Sequence, residues 1–94
     1  MMDNAERKTA KDHIKAKQKV VGLKQVLRHI TESKVAIVYL ASDAEVHVTE
    51  ALQSTANTHA VPIECAFSRK TLGKICGIDV GAACVGILKE EQEN

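Results

Sequence analysis

The feature that most constrains the fold is an unbroken apolar run near the middle of the chain, VAIVYLA at residues 35–41. The run is rich in β-branched residues, which favour extended backbone. A continuous apolar strand is typical of a sheet that is covered by other layers on both faces. The run therefore predicts a layered α/β protein.

Helices and strands alternate on either side of this run. Apolar periodicity predicts a weak helix at 5–17, an amphipathic helix at 23–32, and further strands at 19–21, 61–66 and 82–88. This order predicts a three-layer α/β/α sandwich with a four-stranded mixed sheet, built from a single domain over residues 1–94. We expect residues 1–9 to be loose and residues 89–94 to form an acidic, solvated tail.

Capping residues predict two further helices. Ser42 and Glu45 have the spacing of a capping box, which predicts a helix from this point to about residue 58. Ser68 is suited to cap a short helix that ends at Gly77. Gly73 lies in the middle of that helix, where it costs about 1 kcal/mol relative to Ala. We therefore expect a close backbone approach at Gly73, either to another element or to a ligand.

The net charge of +1 conceals an uneven distribution along the chain. Residues 1–34 hold nine Lys/Arg and four Asp/Glu, a net charge of +5, whereas residues 35–94 hold four and eight, a net charge of −4. The basic half is a candidate contact surface for a polyanion such as nucleic acid, and a solvated surface is the alternative. Only Tyr39 and Phe67 are aromatic, so a stacking platform for single-stranded nucleic acid is not expected.

Cysteine and histidine spacing indicates neither a metal site nor a catalytic centre. Cys65, Cys76 and Cys84 lie in apolar stretches without a CxxC pair, and the four histidines are distant from them in sequence. Buried, reduced thiols are the expectation. We expect no metal, no cofactor, no small-molecule substrate and no enzymatic activity. Because a secretory signal and apolar runs of about 18 residues or more are absent, we expect a cytoplasmic protein without membrane contact.

The helix at 23–32 has an unusual amino end. Lys24, Gln25 and Arg28 share the face opposite its apolar residues, and its first turn contains no Asp or Glu. Cations at the positive end of a helix dipole cost roughly 0.3–1 kcal/mol each unless an anion compensates them. Free N–H groups and two cations form an anion site, and the side chain of Gln25 suits base edges because it both donates and accepts hydrogen bonds. A solvated polar face is the alternative.

A second unusual segment is GIDVGAA, residues 77–83. Ile78 and Val80 lie between two glycines, after a helix and before a strand. Loops seldom expose two β-branched apolar residues. These side chains either fold back on the core or form an apolar surface for a flat ligand such as an unstacked nucleobase.

Three stretches of the chain, GLKQVLR, YLASDAE and LGKICGIDVGAACVGIL, together resemble the kink-turn-binding ribosomal proteins. The archaeal prototype of this family is the L-seven-Ae protein, and the family has small bacterial members. The resemblance covers about residues 10–88, and the pattern LGKxCGIxVGAAxVxI is similar to a signature of the bacterial members. It implies the same three-layer fold.

The resemblance also implies a binding site. In the family, a GxNExxK helix start enters the groove of RNA at tandem sheared G·A pairs, and an apolar loop covers the bases of the adjoining bulge. By position, Gly22 opens the helix, Lys24 and Gln25 replace the Asn and Glu, and Arg28 replaces the Lys. Ile78, Asp79 and Val80 occupy the loop. Replacing a neutral Asn by a cation and Glu by Gln implies altered base reading, with more affinity from phosphates.

The function implied is recognition of kink-turn RNA and stabilisation of its bent form by a ribosome-associated, monomeric protein. The expected partner is ribosomal RNA or a riboswitch-type RNA. Two alternatives remain open at this point. One is a protein–protein interaction module that uses the acidic half or the 77–83 loop, and the other is an enzyme that uses Cys76 or Cys84.

Overall fold

Helices and strands alternate along residues 3–90, the part of the chain that the computed structural model describes. In chain order the elements are α1 (Asn4–Ala16), β1 (Lys19–Val21), α2 (Leu23–Thr31), β2 (Val35–Leu40), α3 (Val46–Thr58), β3 (Ile63–Glu64), α4 (Arg69–Ile75) and β4 (Cys84–Leu88). Of the acidic tail predicted for 89–94, only Lys89 and Glu90 fall within the described residues. Both are exposed, and Glu90 forms an ion pair with Lys17.

The four strands form one sheet in the order β1-β4-β2-β3. β4 is antiparallel to both of its neighbours, whereas β2 and β3 are parallel, which confirms the predicted mixed sheet. Val21 pairs with Val85 and Leu40 pairs with Cys84. β1 and β2 therefore end, and β4 begins, at the same end of the sheet, which we call the loop end.

Helices cover both faces of the sheet, as predicted. α1 and α4 bury Ile14 and Leu72 in the core of one face, and α2 and α3 bury Ile30 and Leu52 in the core of the other. β2 contributes Tyr39 to the first core and Val38 to the second, which explains its continuous apolar sequence. Ala36 is exposed, next to a register shift between Val35 and Ile37.

Three boundaries differ from the sequence-based predictions. Residues 4–9 are helical rather than loose, because Asp3 caps α1: its carboxylate accepts a hydrogen bond from the Glu6 N–H at 2.8 Å. The strand predicted at 61–66 is reduced to Ile63–Glu64 at the edge of the sheet, since Pro62 has no N–H to donate. The strand predicted at 82–88 begins at Cys84.

The predicted capping box at Ser42 and Glu45 is wrong. α3 begins at Val46, and its N-cap residue Glu45 makes no side-chain capping bond. The Ser42 N–H donates to the Phe67 carbonyl at 2.8 Å, which holds residues 42–45 as a loop against the segment before α4. The helix ends at Thr58, close to the predicted position.

The short helix α4 agrees with its prediction. The Ser68 hydroxyl accepts a hydrogen bond from the Thr71 N–H at 3.2 Å, and Gly77 follows the end of the helix. A Cβ atom placed on Gly73 would lie 2.3 Å from the Val80 carbonyl oxygen. The predicted close approach at Gly73 is therefore a contact between α4 and the 77–83 loop.

Candidate functional site

The loop end of the sheet brings together the two segments that the sequence singled out. The Gly22 N–H donates to the Cys84 carbonyl at 3.0 Å, and the Ala41 N–H donates to the Ala83 carbonyl at 2.8 Å. The start of α2 is thus hydrogen-bonded to the first residue of β4, and the 77–83 loop leads directly into that strand and is bonded to the residue that follows β2. In sequence they are more than fifty positions apart.

The amino end of α2 presents donors and cations to solvent. Gly22 has φ of 95°, a value that favours glycine, and the first helical bond runs from the Val26 N–H to the Gly22 carbonyl at 3.0 Å. The N–H groups of residues 23–25 precede this bond and have no acceptor within the helix. Lys24, Gln25 and Arg28 are exposed, and the first turn contains no acid. The arrangement is suited to hold an anion.

The 77–83 loop is divided between core and surface. Ile78 is half-buried against the α1–α4 side of the core, and its N–H donates to the Gly73 carbonyl at 3.0 Å. Asp79 is exposed, and Val80 has 71% of its surface exposed. The two interpretations of the segment therefore apply to different residues: Ile78 anchors the loop, and Val80 is available to a ligand.

Asp43 and Arg69 connect the loops, a role that the sequence analysis missed. The Asp43 carboxylate accepts a hydrogen bond from the Arg69 N–H at 2.8 Å, and the guanidinium Nε lies 3.6 Å from its second oxygen. The N–H bond from Arg69, helped by its guanidinium, holds the pKa of Asp43 below its ordinary value of 3.8. The Arg69 carbonyl in turn accepts from the Ala82 N–H at 3.0 Å. The 41–45 loop, the start of α4 and the 77–83 loop are thereby linked.

A surface groove of about 450 Å³ lies beside Val80. It is lined by Asp43, Arg69, Lys70, Lys74, Ile78, Asp79, Val80 and Gly81. Its three cations come from the half of the sequence with net negative charge, which is why composition did not reveal them. The signal available in the sequence was local: α4 contains Arg69, Lys70 and Lys74 and no acid.

The prediction of buried thiols is confirmed for Cys84 and wrong for Cys65, which is exposed, while Cys76 is half-buried. Cys76 and Cys84 are poorly suited to nucleophilic chemistry. Burial raises the pKa of Cys84 to about 11 and also raises the pKa of Cys76 above its ordinary value. A reactive cysteine requires the opposite shift. Among residues 3–90, no group of three or more His, Cys, Asp or Glu side chains is placed to hold a metal ion. Within the same residues, the helices lack the length and apolar character needed to cross a membrane.

Comparison with known proteins identifies the family. A sequence model described as the ribosomal protein L7Ae/L30e/S12e/Gadd45 family matches residues 4–94. The chain belongs to this family. The finding confirms the resemblance on which the site residues were assigned, and we refer to it below as the L7Ae family.

Two bacterial proteins are similar to the chain over most of its length. An RNA-binding protein of Geobacillus thermodenitrificans is 46% identical over 70 residues, which are 74% of this chain and 85% of the relative. RNA-binding protein YbxF of Geobacillus stearothermophilus is 41% identical over the same shares of the two chains. The names of the family and of these relatives describe ribosomal and RNA-binding proteins, in agreement with the prediction that the chain is not an enzyme.

Solved structures share the L7Ae-family fold. A 15.5 kD RNA-binding protein of Giardia lamblia superposes with a TM-score of 0.81 at 21% identity, over 96% of this chain and 80% of that one. A Bacillus halodurans protein of unknown function gives a TM-score of 0.78 at 22% identity, over 93% and 87%. At these identities the likeness shows the fold alone, and it confirms the predicted fold class.

Proposed function

We propose that the chain binds RNA, and specifically kink-turn RNA, at the loop end of its sheet. The observation that carries the proposal is that the exposed cationic start of α2 is bonded to the first residue of β4, while the exposed Val80 lies in the loop that leads into the same strand. The names of the bacterial relatives support RNA as the class of ligand.

The two parts of the site suit two features of a kinked RNA. The N–H groups at the start of α2, with Lys24 and Arg28, contact phosphates, and the Gln25 amide contacts base edges at the tandem G·A pairs. Val80 covers an unstacked base of the bulge. Gly22 sets the backbone conformation at the start of α2, and Asp79 precedes Val80 in the 77–83 loop. Ile78 packs against the core and thereby holds the loop in place. Binding of the kinked form alone shifts the RNA population towards it.

The cellular setting belongs to the same proposal. Ribosomal RNA and riboswitch-type RNA both contain structured elements of this kind, so we infer a cytoplasmic, ribonucleoprotein role for the chain. Distinguishing a permanent ribosomal protein from a transient one requires sedimentation of the native protein with ribosomal subunits at several salt concentrations.

Gel-shift titration tests specificity directly. A kink-turn RNA and a straight duplex of equal length are titrated with the chain, and we expect clearly tighter binding of the kink-turn. Equal affinity for both RNAs would contradict kink-turn recognition. Failure to bind either RNA would favour the alternative, a protein–protein interaction module on the same fold.

Fluorescence transfer tests the bending. With a donor and an acceptor on the two RNA arms, saturation with protein is expected to raise transfer, because the arms approach each other in the kink. An unchanged signal at saturating protein would show that the chain binds without stabilising the bent form.

A further inference from the structure

Charge is also divided unevenly between the two helical layers of the molecule. α1 and α4, on one face of the sheet, together carry seven Lys/Arg and two Asp/Glu, a net charge of +5. α2 and α3, on the other face, carry two and one, a net charge of +1. Folding therefore places the cations of α4 on the same face of the sheet as those of α1, although α4 belongs to the acidic half of the sequence.

The cations of α1 all lie on one flank of that helix. Ala10 and Ile14 are buried and define its inward side. One flank, which includes His13, lines a crevice over Tyr39 of β2 and Glu64 of β3. At 3.6 residues per turn the basic residues fall on the opposite flank. These exposed residues are Arg7, Lys8, Lys11 and Lys15.

The basic flank of α1 is on the side of α4. α1 and α4 contact each other, and α4 also contacts β4, next to β1 in the sheet. Cys76, which follows α4, packs on the same core as Val21 of β1. The crevice under the other flank lies over β2 and β3, at the opposite side of the sheet. On α4, Lys70 and Lys74 are exposed one turn apart and line the groove beside Val80. Cations therefore continue from the candidate site across α4 to α1.

We propose that this cationic layer, defined by Lys11 and Lys15 of α1 with Lys70 and Lys74 of α4, binds the phosphate backbone of an RNA arm that extends from the kink. The inference rests on the proposed function and extends it to a second contact surface. Lysine ammonium groups on flexible stems suit phosphates, and phosphate contacts carry no sequence information. The layer therefore contributes affinity that depends on the length of the arm and not on its sequence.

A set of kink-turn RNAs with arms of different lengths tests this surface. Each arm in turn is either truncated just beyond the G·A pairs or extended beyond 35 Å, the longest dimension of the molecule. We expect one extended arm to increase affinity, and the double variant Lys11→Gln/Lys15→Gln to remove that gain without changing binding of the truncated RNA. Each phosphate that is no longer neutralised reduces the magnitude of the negative slope of log K against log salt by about 0.9. This variant and Lys70→Gln/Lys74→Gln should therefore each reduce that magnitude by up to about 1.8 on the extended RNA.

A matched control removes two positive charges from another part of the surface. Lys34 and Lys89 lie at the other end of the sheet, where the Lys89 N–H donates to the Lys34 carbonyl at 2.8 Å. The variant Lys34→Gln/Lys89→Gln should therefore keep the affinity that the extended arm adds. If the unaltered chain binds extended and truncated kink-turns equally, the cationic layer is not an RNA surface, although kink-turn recognition stands. If it binds kinked and straight RNA equally, the proposed function fails instead. If Lys11 and Lys15 are needed to bind polyglutamate but not the extended arm, the layer binds acidic protein and the inference is wrong.

Discussion

Val80 and Ile78 have different roles although only one residue separates them. Ile78 is half-buried against the core and bonded to Gly73, whereas Val80 has 71% of its surface in solvent. A side chain so exposed contributes little to the free energy of folding, and an exposed apolar group contributes to the free energy of binding when a partner covers it. The effect of a substitution at Val80 therefore separates binding from stability.

We expect Val80→Ser to weaken RNA binding while the free energy of unfolding stays within about 0.5 kcal/mol of the unaltered chain. The measurement is a urea titration and an RNA titration on the same sample. Val85→Ser is the matched control: Val85 is fully buried, so the same change should cost about 2 kcal/mol or more. A destabilised Val80→Ser protein whose folded fraction binds RNA normally would assign Val80 to the core.

The polar residues of α2 are expected to behave differently from one another. Lys24→Ala and Arg28→Ala should weaken binding and reduce the magnitude of the slope of log K against log salt by about 0.7–0.9 for each phosphate that the variant no longer neutralises. Gln25→Ala should reduce the preference for tandem G·A pairs over other pairs and leave the slope unchanged, because an amide displaces no counterion. Salt titrations of each variant provide the measurement, with Lys34→Ala as a control. Unchanged slopes in both cation variants would show that neither side chain touches phosphate.

At the scale of elements, α4 and the 77–83 loop act as one unit. Their backbones meet at Gly73, and the Ala82 N–H is held by the Arg69 carbonyl. Through Asp43 the same unit is attached to the loop between β2 and α3. The position of Val80 is therefore set by backbone contacts on both sides of it.

Gly73→Ala is expected to displace this loop. A Cβ atom there would lie 2.3 Å from the Val80 carbonyl oxygen, and a backbone group has little freedom to move away. We expect a decrease of about 1–3 kcal/mol in stability, despite the better helix propensity of Ala, and weaker RNA binding by the folded fraction. Thr71→Ala, at an exposed position of the same helix, is the control. Unfolding and RNA titrations that show no change for Gly73→Ala would exclude a tight contact at this position.

The Asp43–Arg69 contact predicts a dependence of stability on pH. Because the folded state lowers the pKa of Asp43, its ionised form stabilises the fold above the ordinary value of 3.8, and this contribution disappears as the pH falls through the lowered pKa. We expect Asp43→Asn to be less stable than the unaltered chain at neutral pH, and the difference to shrink at pH values below 3.8. Urea midpoints at several pH values test this, with Glu50→Gln on α3 as the control. A difference that stays constant with pH would mean that the charge of Asp43 does not stabilise the fold.

At the scale of the whole molecule, the exposed apolar surface is small. Among residues 3–90, the large apolar side chains that are exposed are Val46 and Val80. Stable homodimer interfaces bury far more apolar surface than two such side chains provide. We expect sedimentation equilibrium to give the mass of one chain, and titration with kink-turn RNA to give one chain per kink. A concentration-dependent dimer in the absence of RNA would contradict this expectation.

Local patterns were sufficient to predict the layers of this fold and the exposure of the polar side chains at the start of α2. The apolar run of β2 requires cover on both faces, and the helical period of α2 places Lys24, Gln25 and Arg28 at the surface. Strand order could not be predicted in the same way, because β4 pairs with strands that are distant from it in sequence. The Asp43–Arg69 link joins residues 26 positions apart, and the local capping-box pattern pointed to a different role for the same loop.

The hydrogen bonds from Gly22 to Cys84 and from Ala41 to Ala83 have a thermodynamic consequence. Because these bonds hold the helix start and the loop after β2 to the adjacent residues Cys84 and Ala83, we expect the protein to lose little conformational entropy when an RNA engages both regions. The ordering cost of association then falls mainly on the nucleic acid. We therefore expect calorimetry with a series of kink-turn RNAs of graded flexibility to show binding entropies that vary with the flexibility of the RNA. The contribution of the protein to the binding entropy should be nearly constant across the series.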